Sequence, residues 1–470
     1  MNLKNLKEIG VTVEERLSAR KTIREPAREV NVCREADVVV VGGGPAGVSA
    51  AIAAAREGAN TLLVERYGHL GGMATGGLVL MIIQPPPGIC QEWIDRLDVV
   101  GGAHHPKKED LGSRDEKLLS YWRRYFRGPT GPPARIQGPL RQSAMVDPEL
   151  LKCVLNDMVD EAGVKLLLHS WGSRAIVDKN RVQGIVFESK SGRQAVLGKV
   201  IIDATGDGDI FASAGAGFDG AIGRELRSSQ LALVFRLAKV DWDKFADFRD
   251  SQPQKWQKMR GEVDKVAGFH LGPQASSRDD VTWVNNWILG LDPLKVEDLT
   301  RVEIDVRKAM IPVYNFFKKK VPGFESSFIF DSASQIGTRG SRRLIGEYVL
   351  TRKDVDSGIT HDDTIAVFPR NAPPGGATEE VPQNVGFPYR SLVPVSMDGL
   401  LVAGRCFSSD PVANTMFNVI PHCVAMGQAA GTAAALAVKN KVEPRKVNYR
   451  MLQKRLVAQG VSLPTPRSTS

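Results

Sequence analysis

Cysteine is scarce in this sequence, and no two cysteines stand close together. Only five of the 470 residues are cysteine, and none form a C-x-x-C pair. This argues against an iron–sulfur cluster, a zinc site and a dithiol redox motif, so we expect no metal. An odd count in a long chain is typical of a reducing compartment, so we expect a cytoplasmic protein.

An apolar leader and an uninterrupted membrane-spanning run are also missing. The first thirty residues are charged and lack the apolar stretch of a signal peptide. Residues 38–55 carry no charge, but glycines and Pro45 interrupt them at the centre. A strand, a glycine turn and an alanine-rich helix explain this stretch better than a membrane span, so we expect no membrane partner.

The excess of positive charge is small. The chain has 62 basic and 53 acidic residues, a formal charge of +9, and 42% hydrophobic residues. This composition is globular and allows an anionic cofactor or substrate. No basic stripe is interleaved with aromatic residues, so we expect no nucleic-acid partner. The sequence gives no prediction of the oligomeric state.

The pattern of elements predicts an α/β fold. We expect a strand at residues 38–41, a helix at 46–57 and a second strand at 60–65. Asp147 and Pro148 predict the start of a helix that ends near Gly163. Later strands are expected at 164–169, 172–178, 182–189 and 199–204, and an alanine-rich helix at 423–438. Near-continuous apolar strands indicate a parallel sheet covered on both faces.

Composition divides the chain into several parts. Residues 1–34 form a polar lead-in, and residues 84–141 form an irregular insertion. A nucleotide-binding domain is expected from residues 35–83, 142–215 and 385–470. Residues 216–384 are expected to form a substrate-facing domain. The chain is long enough for two such interleaved domains.

A dinucleotide-binding motif follows the first predicted strand. In Gly42-x-Gly44-x-x-Gly47 the glycines permit a tight turn, approach of a pyrophosphate and close helix–strand packing. Glu65 ends the second predicted strand, where a carboxylate binds ribose hydroxyls. The same spacing at Gly215 follows a helical stretch, so we expect no second nicotinamide site. These residues alone leave NAD and FAD open.

Five separated stretches resemble the FAD-dependent oxidoreductases of the glutathione-reductase/fumarate-reductase type. They are residues 36–78, 146–170, 200–218, 338–351 and 400–437. The resemblance implies FAD as cofactor. It also implies a Rossmann-like FAD-binding domain, with a parallel sheet and a small antiparallel sheet, interleaved with an α+β substrate domain.

The resemblance also implies which residues bind the cofactor. They lie in five short segments, at the end of the second predicted strand and at two helix starts of the FAD-binding domain. The set is Gly42, Gly44, Pro45, Ala46, Gly47, Glu65, Arg66, Gly71, Gly72, Met73, Ala74, Gly172, Ser173, Ala204, Thr205, Gly206, Gly404, Arg405, Val419 and Ile420. The helix that contains Pro421 would direct its positive end at the negative charge of a reduced flavin.

Candidate catalytic residues come from two places. Arg339, Arg342 and Arg343 cluster in one glycine-flanked turn, where arginine could bind an anionic substrate and relay a proton; structural ion pairs are the alternative. His422, near the predicted flavin-facing helix start, could act as a base or simply pack.

Four positions qualify these assignments. The family usually has an acidic residue at the position of Gly340, and a histidine and an arginine near Asn414 and Asn418, so the substrate pocket is expected to differ. His69 could bond covalently to the flavin, although related covalent enzymes use a different local sequence.

The predicted function is hydride transfer between flavin N5 and a small organic substrate, with an external electron acceptor or donor. Two alternatives remain open. One is a flavoprotein that modifies RNA, and the other is a non-catalytic flavin-binding subunit of an electron-transfer complex.

Overall fold

The computed structural model describes residues 23–126, 140–220, 230–369 and 384–464. The helices of these residues are α1 (Pro45–Arg56), α2 (Ile89–Val99), α3 (Glu116–Arg123), α4 (Pro148–Glu161), α5 (Asp209–Ala214), α6 (Trp242–Ser251), α7 (Pro253–Ala267), α8 (Val296–Lys320), α9 (Arg352–Ser357), α10 (Pro411–Phe417), α11 (Ile420–Asn440) and α12 (Tyr449–Ala458). The strands are β1 (Asn31–Val41), β2 (Thr61–Val64), β3 (Met81–Ile83), β4 (Ala103–His104), β5 (Ser143–Val146), β6 (Lys165–Leu167), β7 (Trp171–Asp178), β8 (Arg181–Ser189), β9 (Gly192–Asp203), β10 (Phe218–Asp219), β11 (Leu231–Ala232), β12 (Phe235–Ala238), β13 (His270–Ala275), β14 (Val281–Trp287), β15 (Phe328–Ser332), β16 (Gly337–Thr338), β17 (Arg343–Leu344), β18 (Thr364–Pro369), β19 (Asn384–Pro388) and β20 (Leu400–Val402).

A seven-stranded sheet forms the centre of the nucleotide-binding region. Its order is β6-β2-β1-β9-β8-β7, and β20 pairs with β9. Strands β6, β2, β1, β9 and β20 are parallel, whereas β9, β8 and β7 form an antiparallel meander. The predicted α/β class, with a parallel sheet and a smaller antiparallel part, is confirmed.

Both faces of this sheet are buried. Val38 and Val40 pack on the side of α1 and α11, whereas Val39 and Val41 pack on the side of β8 and α5. This explains why four consecutive apolar residues form β1. It is the pattern of a parallel sheet with covered faces.

Helices α1 and α11 cross at van der Waals distance. A Cβ atom on Gly427 would lie 2.0 Å from the Ala46 carbonyl oxygen, and one on Gly431 would lie 2.0 Å from that of Ala50. The Ser49 hydroxyl donates to the Val424 carbonyl at 2.9 Å. The glycines therefore let α11 pack directly against the backbone of α1.

A second, antiparallel sheet has the order β13-β14-β12-β15. Its core includes Phe235, Val284, Val306, Val313 and Phe317, so α8 packs on this sheet. The remaining ladders are β3-β5-β4, β10-β17, β11-β16 and β18-β19. The four-stranded antiparallel sheet and α8 give the described residues 230–369 an α+β character.

Several local expectations are confirmed. The Asp147 carboxylate accepts the N–H groups of Glu149 and Leu150 at 2.9 and 3.1 Å, and Pro148 begins α4. Gly215 ends α5 with φ of 85°, so its glycine motif does follow a helix.

Two other expectations need correction. Strand β1 begins at Asn31, so the boundary at 34/35 falls inside a strand. Residues 84–141 are not irregular in their described part, since they contain α2 and α3. In α2, Ile89, Trp93 and Leu97 are buried at helical spacing, a pattern that the prolines and glycines around it obscured. Residues 1–22, 127–139, 221–229, 370–383 and 465–470 lie outside the described residues, and the domain boundaries stay predictions.

In the described part of the chain, no single helix is long and apolar enough to cross a membrane; α10 and α11 pass that test only as a pair bent by 96°.

Candidate active site

The glycine turn after β1 brings three chain segments into contact. Gly42 has φ of 101°, and a Cβ atom there would lie 2.5 Å from the Ala204 carbonyl oxygen. A Cβ atom on Gly47 would lie 1.6 Å from the Gly42 carbonyl oxygen. Only glycine fits at these two positions, so the end of β1, the start of α1 and the end of β9 are held together.

Gly44, by contrast, faces open space. The atom nearest to a Cβ placed there is the Cα of Gly72, 4.0 Å away. Gly44 is the N-cap of α1, no side chain caps this helix, and Pro45 and Ala46 form its first turn. The first N–H groups and the positive end of the helix dipole thus border a space that suits an anionic group such as a pyrophosphate.

Glu65 lies directly after β2 and is 6% exposed. Its Oε2 accepts the Gly43 N–H, and its Oε1 accepts the Tyr67 N–H at 2.7 Å. Burial raises the pKa of this carboxyl group, and the two hydrogen bonds partly offset that effect. The side chain is therefore fixed beside the glycine turn.

The loop that contains Gly71, Gly72, Met73 and Ala74 packs on the same turn. The Gly71 N–H donates to the Gly43 carbonyl at 2.8 Å. A Cβ atom on Gly72 would lie 2.8 Å from the Cα of Gly44. Two backbones thus meet with no side chain between them.

Gly172 and Ser173 lie at the start of β7. A Cβ atom on Gly172 would lie 2.5 Å from Cγ1 of Val41, which places β7 against the end of β1. The Ser173 hydroxyl donates to the Val186 carbonyl at 3.2 Å. Arg66 is exposed nearby, with its guanidinium carbon 5.9 Å from the ring of Trp171. Sequence reasoning did not single out Trp171.

Asp203, which sequence reasoning also missed, organises the turn at the end of β9. Its carboxylate accepts the N–H and hydroxyl of Thr205 at 3.0 and 2.7 Å, and the N–H groups of Ile210 and Phe211 at 3.0 and 2.8 Å. Burial raises the pKa of Asp203 to about 6. The four bonds fix Ala204, Thr205 and Gly206 against the start of α5.

Arg405 connects the turn after β20 to two other segments. It donates to the main chain of Thr338, to the Thr338 hydroxyl at 2.5 Å and to Asp207 Oδ1 at 2.9 Å. A Cβ atom on Gly206 would lie 2.6 Å from its Nη2 atom. Asp207 also accepts the Ser341 hydroxyl at 2.7 Å. Asp207 is thus a central acceptor that sequence reasoning missed.

The arginine turn differs from the expected substrate clamp. Arg342 pairs with Asp209 at 3.0 Å and donates to the Asp207 carbonyl at 3.0 Å. Arg343 is 2% exposed and pairs with Asp219 at 2.5 Å. These two arginines connect neighbouring strands and turns. The contacts of Arg342 are those of a structural ion pair, the alternative named from the sequence, and its catalytic role stays a prediction.

Arg339, Asn414 and Asn418 lie where the arginine turn meets the turn after β20. The Asn418 amide donates to the Arg339 carbonyl at 2.6 Å, and the Asn414 amide donates to the Arg405 carbonyl at 2.7 Å. The asparagines thus hold the main chain of the arginine turn and of the turn after β20.

Helix α11 begins at Ile420, three residues earlier than expected. Val419 is its N-cap, and no side chain caps the helix. His422 is 3% exposed, and its ring lies 4.1 Å from that of Phe368 and 5.2 Å from that of Phe417, both edge-on. The ring of His422 therefore packs against β18 and α10, and its catalytic role stays a prediction.

The residues present fit FAD. The open space at Gly44, the uncapped starts of α1 and α11, and the fixed carboxylate of Glu65 correspond to the needs of a pyrophosphate, a flavin and a ribose. Across the four described ranges, no group of three or more histidine, cysteine, aspartate or glutamate side chains is placed to hold a metal ion.

Comparisons with known proteins agree with this geometry. Residues 37–456 match the family model described as FAD dependent oxidoreductase. Digeranylgeranylglycerophospholipid reductase 2 of Methanopyrus kandleri is 28% identical over 172 residues, which are 37% of this chain and 38% of that protein. Thiamine thiazole synthase of Saccharolobus islandicus is 42% identical over 77 residues, 16% of this chain and 29% of that protein.

These similarities to curated relatives cover well under half the length of each relative. Among solved structures, a geranylgeranyl bacteriochlorophyll reductase-like protein of Thermoplasma acidophilum has a TM-score of 0.44 and 15% identity, with 91% of this chain and 84% of that chain covered. Because the family model spans most of the sequence, the chain belongs to the family of FAD-dependent oxidoreductases.

Proposed function

We propose that this enzyme transfers a hydride between FAD and a small organic substrate, and exchanges electrons with an external acceptor or donor. When bound, FAD supplies the hydride chemistry at flavin N5. The proposed cofactor contacts are the turns that begin at Gly42, Gly71, Gly172, Ala204 and Gly404, together with Glu65 and the start of α11.

One observation carries the proposal: a substrate-side segment lies on the loop that would border the flavin. The Gln335 N–H donates to the Gly76 carbonyl at 3.3 Å. A Cβ atom on Gly337 would lie 3.9 Å from the Met73 sulfur atom. The segment 334–339 therefore forms a wall beside the Gly71–Ala74 loop, and a substrate bound there would be close to the cofactor.

His69 is a second candidate for proton transfer, beside His422. Its Nε2 lies 3.1 Å from the Ser334 hydroxyl, and its ring stacks on Tyr67 with centroids 5.5 Å apart. Burial lowers the pKa of the imidazole, with the positive charge of Lys152 adding to that effect and Glu149 opposing it. A neutral imidazole beside Ser334 would accept the proton released when the substrate is oxidised.

This proposal does not specify the charge of the substrate. Arg342 and Arg343 are engaged with Asp209 and Asp219, so they give no support for an anionic substrate. The reductases among the relatives act on lipids by name, which makes an apolar substrate with a reducible double bond worth testing beside alcohols, hydroxy acids and amines.

Anaerobic flavin bleaching tests the proposal. The FAD-loaded enzyme would be mixed with each metabolite class, and the photoreduced enzyme with alkenes, while the flavin absorbance is followed. Saturable bleaching or reoxidation by one class is expected, and free FAD is the control. If only redox proteins or dyes exchange electrons with the flavin, the alternative of an electron-transfer subunit replaces this proposal.

A further inference from the structure

We propose that Trp171 is the platform on which the adenine of the dinucleotide stacks, opposite the guanidinium of Arg66. This inference rests on the proposed function only in assuming that the bound cofactor is FAD. It assigns a binding role to a side chain that the glycine motifs do not include.

The backbone places Trp171 beside the acidic residue that suits the ribose. The Ser170 N–H donates to the Glu65 carbonyl at 2.9 Å, and the His169 N–H donates to the Tyr67 carbonyl at 3.2 Å. Residues 169–171 thus run alongside residues 65–67. The next residue, Gly172, brings β7 against Val41, directly before the glycine turn.

The side chain of Trp171 is unusually open to solvent for its size. It is 56% exposed, although a tryptophan ring gains free energy from burial. Its charged neighbour is Arg66, whose guanidinium carbon lies 5.9 Å from the Trp171 ring and 4.8 Å from the Tyr67 ring. An exposed aromatic ring beside a ribose-binding carboxylate is what a base-stacking site requires.

A flat ligand needs a slightly wider gap than the 5.9 Å between Arg66 and the Trp171 ring. A base between two flat groups needs roughly 7 Å between them, twice the van der Waals contact distance of about 3.5 Å. Because Arg66 is exposed, a small rotation of its side chain would widen the present gap to that value. The adenine would then lie between an indole ring and a guanidinium, and both groups attract its π-face.

The test compares ligands that contain adenine with one that does not. Trp171→Ala and Trp171→Phe would be made in the full chain, and the flavin removed before binding of FAD, ADP and inorganic pyrophosphate is measured. Phe330→Ala is the matched control, since Phe330 is 51% exposed and has the Arg236 guanidinium 4.9 Å from its ring.

Trp171→Ala is expected to weaken the binding of FAD and of ADP by about 5- to 150-fold, the range of one base–aromatic stack, while pyrophosphate binding stays unchanged. Trp171→Phe should retain most of the affinity for FAD and ADP, and Phe330→Ala should retain the full affinity. Unchanged FAD and ADP affinity in Trp171→Ala would overturn the inference, and so would an equal loss for pyrophosphate.

A second measurement needs no variant. The fluorescent analogue etheno-ADP should be quenched on binding to the wild-type chain, because its base would stack on the indole. Binding without quenching would contradict a stacked base. These tests distinguish the adenine platform from the proposed function. If the wild-type chain binds FAD but both tests fail, only the role of Trp171 is rejected.

Discussion

The three glycines of the Gly42–Gly47 motif have different structural roles. Gly42 and Gly47 leave room for neighbouring backbone, whereas Gly44 borders open space. Their spacing and the carboxylate of Glu65 were predictable from the sequence because they are local to one strand–turn–helix–strand unit. The pairing of Arg405 with Asp207 was not predictable, since the two residues are 198 positions apart.

The open space at Gly44 leads to a first prediction. Gly44→Val should fold normally, because its backbone is extended and the protein atom nearest to a Cβ placed there is the Gly72 Cα, 4.0 Å away. The branched side chain would occupy the proposed pyrophosphate position, so the purified variant should lack flavin. Thermal unfolding and FAD content measure the two effects.

Gly261→Ala is the control for Gly44→Val, because Gly261 lies in α7 with no neighbour near its Cβ position. It should retain FAD and gain up to about 1 kcal/mol from the better helix propensity of alanine. A Gly44→Val protein that retains wild-type FAD content would show that the pyrophosphate lies elsewhere.

A second prediction concerns His69. With a substrate from the bleaching screen, His69→Gln should slow flavin reduction about a hundredfold or more without loss of FAD. In the wild type the rate should fall as the pH drops through the lowered pKa of His69, because only the neutral imidazole accepts a proton. In His69→Gln this acid limb should be absent.

His361→Gln is the matched control, since burial also lowers the pKa of His361 while its ring packs on Tyr348. Its pH–rate profile should equal that of the wild type. If His69→Gln retains the acid limb and the rate, another group handles the proton.

Secondary-structure elements were predictable where a local signal sets their ends. The start of α4 follows from Asp147 and Pro148, and the glycine turn sets the start of α1. The helices α2 and α3 were missed because prolines and glycines surround them. The place of His422 also depended on tertiary contacts, since Phe368 comes from β18 and Phe417 from α10.

Asp203 ends β9 and accepts hydrogen bonds from the first turn of α5, and it leads to a third prediction. Its pKa of about 6 exceeds the ordinary aspartate value of about 4, so between these values the folded state binds more protons than the unfolded state. This group therefore makes the free energy of unfolding fall as the pH rises from about 4 to about 6. Denaturant unfolding at several pH values would measure the slope.

Asp203→Asn should be less stable overall, since an amide cannot accept all four hydrogen bonds, and should lack that fall with pH. Asp37→Asn is a control of opposite sign, because Lys199 lowers the pKa of Asp37 and its contribution is lost as the pH falls. Equal slopes in the wild type and Asp203→Asn would refute the raised pKa of Asp203.

At the scale of the described chain, the loop 69–76 and the turn at Gly404 and Arg405 meet the segment 334–339. The contacts of this segment join residues far apart in sequence, such as Arg405 with Thr338 and Asn418 with Arg339, which are 67 and 79 positions apart. The family and its cofactor were therefore predictable from motifs, whereas the substrate-side contacts were not.

A fourth prediction is that NADH and NADPH reduce the flavin slowly or not at all. The second glycine motif begins at the left-handed end of α5 and does not follow a strand, so it does not form a dinucleotide turn. Stopped-flow absorbance would measure the reduction. Rapid reduction that saturates with either nucleotide would contradict this prediction.

The most direct test of FAD binding at the start of α1 is the flavin content of the purified chain. The wild-type protein, incubated with FAD and separated from the excess by gel filtration, should be yellow, carry one FAD per chain and release it on denaturation. A colourless protein that refuses FAD would contradict the account, and a yellow precipitate after acid treatment would contradict its non-covalent binding and point to attachment at His69.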